Sequence, residues 1–175
     1  ISVFYYEQHG PKEQLARAYY YKACILFFNR NNVTAAIKLL KRAENTAKGH
    51  GGLALMHKIF STLSYVNLTT KNYNTALNYA EKARGMATRA NNDLWMAYSL
   101  SYIANAYSGL GVPDSKLNYL LKALKLYKHL DTESQTVLLA NISDVYSQKG
   151  DTVKSAKFIL RALKAPPESY TYTIL

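Results

Sequence analysis

Residues 97–127 read AYSLSYIANAYSGLGVPDSKLNYLLKALKLY. On either side of its centre, apolar residues recur at intervals of three and four, which is the pattern of an amphipathic helix. The segment from Gly109 to Pro113 interrupts that pattern with residues that end helices. The stretch therefore predicts two helices joined by a short turn.

The same pattern recurs along the whole chain. It aligns when four alanines are superposed, and these are spaced by 40, 40 and 39 residues: Ala43, Ala83, Ala123 and Ala162. A repeat of this length is typical of a helical solenoid. Two further positions, seven and nineteen residues before each alanine, are also occupied mainly by small residues. The first set is Ala36, Ala76, Lys116 and Ser155, and the second is Cys24, Ser64, Ala104 and Ser143.

Small residues at these positions allow two antiparallel helices to approach closely. Lys116 is the exception, and we expect its stem to pack while its ammonium group points outward to solvent. Three residues after the second set stand Phe27, Asn67, Tyr107 and Tyr146, so three repeats carry an aromatic ring that can wedge between helices.

This combination resembles the tetratricopeptide repeat. The closest stretches are ANAYSGLG at 104–111, SDVYSQKGD at 143–151 and YNTALNYAEKA at 73–83. The unit of about forty residues is similar to the longer variant found in bacterial peptide-sensing regulators and kinesin light chains. Asn67 and Lys116 depart from the family pattern. The resemblance covers residues 17–167 and implies an all-α, right-handed superhelical solenoid of four helix-turn-helix repeats.

A chain of 175 residues is the usual size of one domain, so we predict a single domain over residues 1–175. The repeats are expected at residues 12–48, 53–90, 94–130 and 133–165. Within them, Asn29 to Asn32 should provide a turn and a cap, and Thr132 with Gln135 a capping box. Val3 to Tyr6 should cover the end of the first pair. Pro166 and Pro167 should end the last helix, and the tail 166–175 is expected to lead into a further C-terminal part.

The composition is that of a folded protein, with 49% apolar and 19% charged residues. The single cysteine, Cys24, excludes an internal disulfide and is expected to be a buried thiol. No apolar run approaches the roughly 20 residues of a transmembrane helix. We expect a cytoplasmic protein, or a periplasmic one if a signal segment has been removed, since the chain begins at Ile1.

Catalytic patterns are scarce. The four histidines lack metal-ligand spacing, and for His57, near a helix start, a structural role is favoured. Gly49, Gly51 and Gly52 do not form a phosphate loop, because no Gly-Lys-Ser/Thr follows them. We therefore expect no enzyme activity, no metal and no cofactor.

Basic residues are concentrated on the predicted second helices, which form the convex face in the family. Fifteen of the 22 Lys and Arg residues lie there: Lys38, Lys41, Arg42, Lys48, Lys82, Arg84, Arg89, Lys116, Lys122, Lys125, Lys128, Lys154, Lys157, Arg161 and Lys164. Such a stripe suits nucleic acid or an anionic membrane surface. A solvated face is favoured, since Lys outnumbers Arg and no aromatic residues interleave the stripe as in nucleic-acid motifs.

The first helices line the concave groove in the family. Matching family positions gives ten candidate groove residues: Tyr21, Lys22, Lys58, Tyr65, Tyr98, Ser101, Tyr102, Asn105, Asn141 and Asp144. Asn105 and Asn141 are the candidates to clamp a peptide backbone, or equally to bond neighbouring helices. The carboxylate clamp of chaperone-binding members does not carry over, because Tyr21 and Ile25 stand at its positions.

The sequence thus favours a scaffold or sensor module that binds a protein or peptide in its groove, as part of a larger bacterial regulatory protein. Two alternatives stay open. One is a nucleic-acid or anionic-surface binder that uses the basic convex face. The other is a self-assembling structural module that uses the apolar stretches Val3 to Tyr6 and Tyr170 to Leu175. The partner and the oligomeric state are open.

Overall fold

The computed structural model describes residues 3–127 and 132–164, which contain nine helices and no strand. The helices are α1 Val3–His9, α2 Lys12–Phe28, α3 Val33–Ala47, α4 Leu53–Thr69, α5 Tyr73–Ala90, α6 Asp93–Gly109, α7 Pro113–Tyr127, α8 Thr132–Gln148 and α9 Thr152–Leu163. Helices α2 to α9 form the four predicted helical pairs, whereas α1 is a helix that the sequence reading did not predict. Pro166, Pro167, the tail and the side chain of Thr132 lie outside what the structure describes.

The small residues face one another inside each pair. Ala43, Ala83 and Ala123 are completely buried. The Ser64 hydroxyl donates a hydrogen bond to the Ala76 carbonyl oxygen over 2.9 Å, and twelve residues again separate Ser143 from Ser155, whose carbonyl accepts at 2.9 Å. The repeat alignment is therefore confirmed, because aligned positions make the same contact in different pairs.

Lys116 differs from its prediction. Only 9% of the residue is exposed, and its ammonium group lies 3.2 Å from the Asp144 carboxylate on α8. The expectation that the ammonium group points outward to solvent is therefore wrong. A cation this deeply placed needs a counter-charge, and Asp144 supplies it.

The aromatic wedges of the third and fourth pairs stack on rings of the second helix of the same pair. The rings of Tyr107 and Tyr119 lie 5.5 Å apart and nearly parallel, and those of Tyr146 and Phe158 lie 5.6 Å apart. In the second pair the wedge position is Asn67, which is buried and donates its amide to the Leu63 carbonyl oxygen over 2.7 Å. The asparagine is thus satisfied within its own helix, so the pair keeps its packing without the ring.

The turn inside each pair has one recurrent backbone conformation. Positive φ angles occur at Asn31, Lys71, Gly111 and Gly150, which follow the same spacing of 40, 40 and 39 residues. The next residue's N–H closes the turn back onto the first helix, as in the 2.8 Å bond from Asn72 to the Asn67 carbonyl oxygen. Asn32 then caps α3 by accepting from the Ala35 N–H, as predicted.

The order of helix contacts gives the solenoid its curvature. The backbone of α4 comes close to those of both α2 and α6, whereas within the described residues the backbone of α5 comes close to neither α3 nor α7. Helix α5 reaches α3 through side chains, since Tyr79 and Lys82 lie 3.5 and 3.7 Å from the Glu44 carboxylate. The first helices of the first three pairs are therefore closer together than the second helices, and they form the inner side of the curved row. A groove lined by α2, α4 and α6 follows from this arrangement.

Helix α1 is attached to the first pair by a polar cluster. The Glu7 carboxylate accepts hydrogen bonds from the Tyr19 hydroxyl at 2.6 Å and from Arg42 at 2.8 Å. The Arg42 guanidinium also lies over the Tyr19 ring, 4.3 Å from its centre. Val3 packs against the first core, as expected, but Phe4 and Tyr5 are 65% and 56% exposed. The expectation that the whole stretch covers the pair is wrong for these two rings, because each helical residue is rotated by about 100° from the one before, which turns Phe4 and Tyr5 away from the face of Val3.

Candidate functional site

A row of aromatic rings runs across the inner helices. Phe28 of α2 stacks on Tyr65 of α4 with ring centres 6.1 Å apart, and Tyr65 lies 6.4 Å from Tyr102 of α6. Phe28 is 61% exposed and Tyr65 38% exposed, so both offer ring surface to a ligand. The structure therefore brings together Tyr65 and Tyr102 from the predicted set and extends the row to Phe28.

Tyr98 and Tyr21 add to this aromatic surface. Tyr98 stands one helical turn before Tyr102 and is exposed, and Tyr21 stands two turns before Phe28. Burial, followed by the proximity of Tyr65 and Tyr98, raises the pKa of Tyr102. Phe28, Tyr65, Tyr98 and Tyr102 thus form one cluster, which we call the aromatic row.

The two predicted asparagines lie on the first helices of the third and fourth pairs. Asn105 is exposed on α6, and Asn141 is half-buried on α8. Within the described part of the chain, neither amide group makes a side-chain hydrogen bond, so bonding to neighbouring helices is not found there. Their donors and acceptors are available to a ligand.

The other predicted residues differ in how far they are available. Lys22 and Lys58 are exposed. Ser101 is half-buried, and its hydroxyl donates to the Ala97 carbonyl oxygen at 3.0 Å. Asp144 accepts from Gln148 at 2.9 Å as well as pairing with Lys116. Ser101 and Asp144 are thus already engaged within the fold.

A cavity of about 510 Å³ opens between α1 and the inner side of α2. Its lining comes from two residues of α1 and six of α2: Val3, Tyr6, Gln14, Arg17, Ala18, Tyr21, Lys22 and Ile25. We call it the α1–α2 pocket. Most of this pocket was missed from the sequence because α1 was not predicted as a helix. Ile25 could have been found, since it aligns with the predicted groove residue Tyr65.

His57 has a structural environment. Its ring stacks on Trp95 of α6 at 4.9 Å, and its Nε2 lies 3.3 Å from both the Trp95 carbonyl oxygen and the Ser99 hydroxyl. Burial lowers the pKa of His57. The histidine therefore joins α4 to α6 as a neutral ring.

Many basic residues of the second helices are engaged by neighbouring side chains. Lys82 lies 4.7 Å from the centre of the Tyr79 ring, Lys122 5.2 Å from Tyr119, and Arg161 5.6 Å from Phe158. Each cation comes three residues after its ring. Four others form ion pairs: Arg42, Arg84, Lys116 and Lys154. Much of the basic stripe thus covers aromatic rings and balances acidic groups.

The described residues carry no arrangement for metal binding or for crossing a membrane. No group of three or more His, Cys, Asp or Glu side chains there is arranged to hold a metal ion. None of the described helices has the length and apolar character needed to cross a membrane. Cys24 is a half-buried free thiol, and burial raises its pKa.

The comparisons with known proteins agree with this architecture. Residues 96–130, which include most of the third pair, match the tetratricopeptide repeat model. No curated protein sequence matches the chain at a significant level.

Three solved structures are similar over most of the chain. BtubC (BKLC) from P. vanneervenii has a TM-score of 0.82 and 16% identity, and the match covers 99% of this chain and 75% of that one. The apo form of RapI has a TM-score of 0.79 and 19% identity, with 86% and 55% coverage. A Rap protein complexed with Competence and Sporulation Factor has a TM-score of 0.72 and 17% identity, with 91% and 45% coverage.

The chain thus spans about half the length of the two Rap proteins. At these identities the likeness concerns the fold. The third pair thus matches the tetratricopeptide repeat, and the fold of the chain is similar to that of these solved structures.

Proposed function

We propose that the chain binds an extended protein or peptide segment in the groove of its first helices, as the sensor or scaffold part of a larger bacterial regulatory protein. The observation that carries this proposal is the aromatic row, in which Phe28, Tyr65 and Tyr98 remain exposed on the inner side. Aromatic rings supply contact area at low entropy cost, and exposed rings in a row suit a ligand that lies across several helices.

Two further observations support a peptide as the ligand. The amide groups of Asn105 and Asn141 can both donate to and accept from an extended backbone, which carries the same groups. A similar fold, that of a Rap protein, holds Competence and Sporulation Factor. We expect this chain, likewise, to bind its partner segment on a curved helical surface.

The test begins with peptides selected from a displayed random library on the intact chain. Replacing both Asn105 and Asn141 by alanine should weaken binding of a selected peptide by about thirtyfold, since each lost hydrogen bond contributes about 1 kcal/mol. Asn78→Ala with Asn118→Ala is the matched control, because these two asparagines are exposed on the second helices α5 and α7. Equal affinities of the two double variants would contradict a groove site.

The basic stripe receives less support as a nucleic-acid site. Seven of its residues already cover rings or pair with acidic groups, which gives the positive charge a role in the fold. Binding to duplex DNA would fall by orders of magnitude between low and moderate salt if many phosphates were neutralised. Such a steep loss, unchanged by the asparagine variants, would favour the basic face instead.

Self-assembly is a second candidate, favoured by the exposed apolar residues of α9. Leu160 and Leu163 are 55% and 75% exposed, whereas the residues at the aligned positions of α7, Leu121 and Leu124, are half-buried against the core. If the chain self-assembles through α9, its mass by sedimentation should rise with concentration, and Leu160→Lys with Leu163→Lys should abolish the rise. A wild-type chain of constant mass would exclude this candidate.

A further inference from the structure

We infer that the α1–α2 pocket selects one part of the bound segment, a large apolar side chain followed by a carboxylate. This inference rests on the proposed function, since it assigns a preference to one end of the same groove. The repeats alone do not form this pocket, because one of its walls is α1, which precedes the first helical pair.

The walls of the pocket are apolar. Val3 and Tyr6 contribute from α1, and Ala18, Tyr21 and Ile25 from α2. Tyr21 is 53% exposed and Ile25 is about as exposed, so both leave apolar surface in contact with water. A volume of about 510 Å³ lies in the range of small-ligand sites and is ample for a large side chain. Burying an apolar side chain there would remove water from both surfaces.

The rim of the pocket is positive. Lys22 is exposed, and within the described residues its ammonium group makes no ion pair, although its charge helps to lower the pKa of Glu7. Arg17 also lines the pocket, but its guanidinium is held 2.7 Å from the Glu13 carboxylate of the same helix. Lys22 is thus the cation that can meet a ligand carboxylate at the edge of an apolar cavity.

The pocket has a fixed wall. Helix α1 is held to α2 and α3 by the cluster of Glu7, Tyr19 and Arg42, in which the Tyr19 hydroxyl also lies 2.5 Å from the Arg42 guanidinium. The cavity is therefore bounded on both sides by packed helices. The formal net charge of +11 also favours an acidic segment over a basic one.

The location relates the pocket to the rest of the groove. Tyr21 belongs to both, since it lines the pocket and stands on α2 two turns before Phe28 of the aromatic row. A segment anchored in the pocket can therefore continue across α4 and α6. The structure assigns the α1–α2 pocket as the site that anchors the segment, and the aromatic row as the surface that binds the rest of it.

The test uses fluorescein-labelled twelve-residue peptides built on one library-selected sequence. Four versions place Phe or Ala at the anchor and Asp or Lys at the next residue. At moderate salt we expect the Phe-Asp peptide to bind about tenfold more tightly than either the Ala-Asp or the Phe-Lys peptide. Lys22→Glu should reverse the order of the Asp and Lys versions. Lys41→Glu, an exposed lysine on α3, is the control for net charge and should leave the order unchanged.

A second measurement does not depend on the variants. The methyl resonances of Ile25 and Val3 in the wild-type chain should shift when the Phe-Asp peptide is added. This inference would be overturned if the four peptides bound with equal affinity, or if Lys22→Glu left the order of the Asp and Lys versions unchanged. Groove binding would still stand in that case, provided that the asparagine variants lose affinity. If no version and no library peptide binds, both proposals fail.

Discussion

Single residues fix the local geometry of each repeat, and Lys71 shows where a residue is poorly suited to its position. Its φ of 61° lies in the left-handed region, and the aligned positions in the third and fourth pairs are glycines. A side chain at such an angle is strained, since its Cβ approaches the following carbonyl oxygen. All four pairs adopt this turn, although only the third and fourth pairs have glycine, the residue that best fits a positive φ angle.

Replacing Lys71 by glycine should stabilise the chain by about 1 kcal/mol, because the strain is relieved at some cost in backbone entropy. Urea unfolding followed by circular dichroism measures the change. Lys71→Ala keeps the strain and serves as the control with no gain. A Lys71→Gly chain less stable than the alanine variant would contradict this account of the turn.

His57 makes a pH-dependent contribution to stability. Its pKa in the fold is lowered from 6.5 by burial, so the unfolded chain binds the proton more readily. The contribution of His57 to stability is therefore complete above pH 6.5 and is lost as pH falls from there through the lowered pKa. His57→Phe keeps a ring against Trp95 without the titration.

Thermal unfolding between pH 7.5 and pH 5 should therefore show a smaller loss of stability in His57→Phe than in the wild type. His50→Phe is the control, since His50 is exposed. The same slope in His57→Phe and wild type would mean that other groups carry the acid sensitivity.

At the scale of the element, close helix approach depends on the buried alanines. Ala123 is completely buried in the core that α6, α7 and α8 share. Ala123→Leu should overpack the third pair and lower the free energy of unfolding by about 1 to 3 kcal/mol. Lys125→Leu is the control on the same helix, because Lys125 is exposed, and it should change stability by less than about 0.5 kcal/mol. Similar losses in the two variants would mean that the repeat alignment is wrong.

The elements also show what could be predicted. The helical pairs were predictable because small residues and turn residues recur at a fixed spacing, so each repeat supports the reading of the others. Helix α1 has no repeat partner, and its seven residues are too few for a periodic signal. The Lys116 ion pair was also beyond prediction, since its partner Asp144 belongs to another pair and was assigned to the groove.

For the whole molecule, the candidate site combines predicted and unpredicted parts. Family positions identified Tyr65, Tyr98 and Tyr102, which the structure gathers into one row. The α1–α2 pocket depends on how α1 folds onto α2, which the sequence pattern does not determine. The repeats determine the shape of the inner surface. Its N-terminal end is determined by the contact between α1 and α2, and α1 lies outside the repeats.

The basic charge is likewise a property of the whole fold. The stripe on the second helices suggested a nucleic-acid surface, but three of its cations cover aromatic rings three residues earlier in the chain. Cations over rings add packing as well as attraction. We expect this arrangement to orient an acidic partner toward the molecule while the groove provides the specific contacts.

The most direct test of groove binding is the affinity of a library-selected peptide for Tyr65→Ala with Tyr98→Ala, measured by calorimetry at moderate salt. We predict at least about a tenfold loss, because two of the three exposed rings of the aromatic row are removed. Tyr5→Ala, which removes an exposed ring of α1 that does not line the pocket, should bind as the wild type does. A double variant that binds the peptide as tightly as the wild type would contradict the proposal that the inner helices form the binding surface.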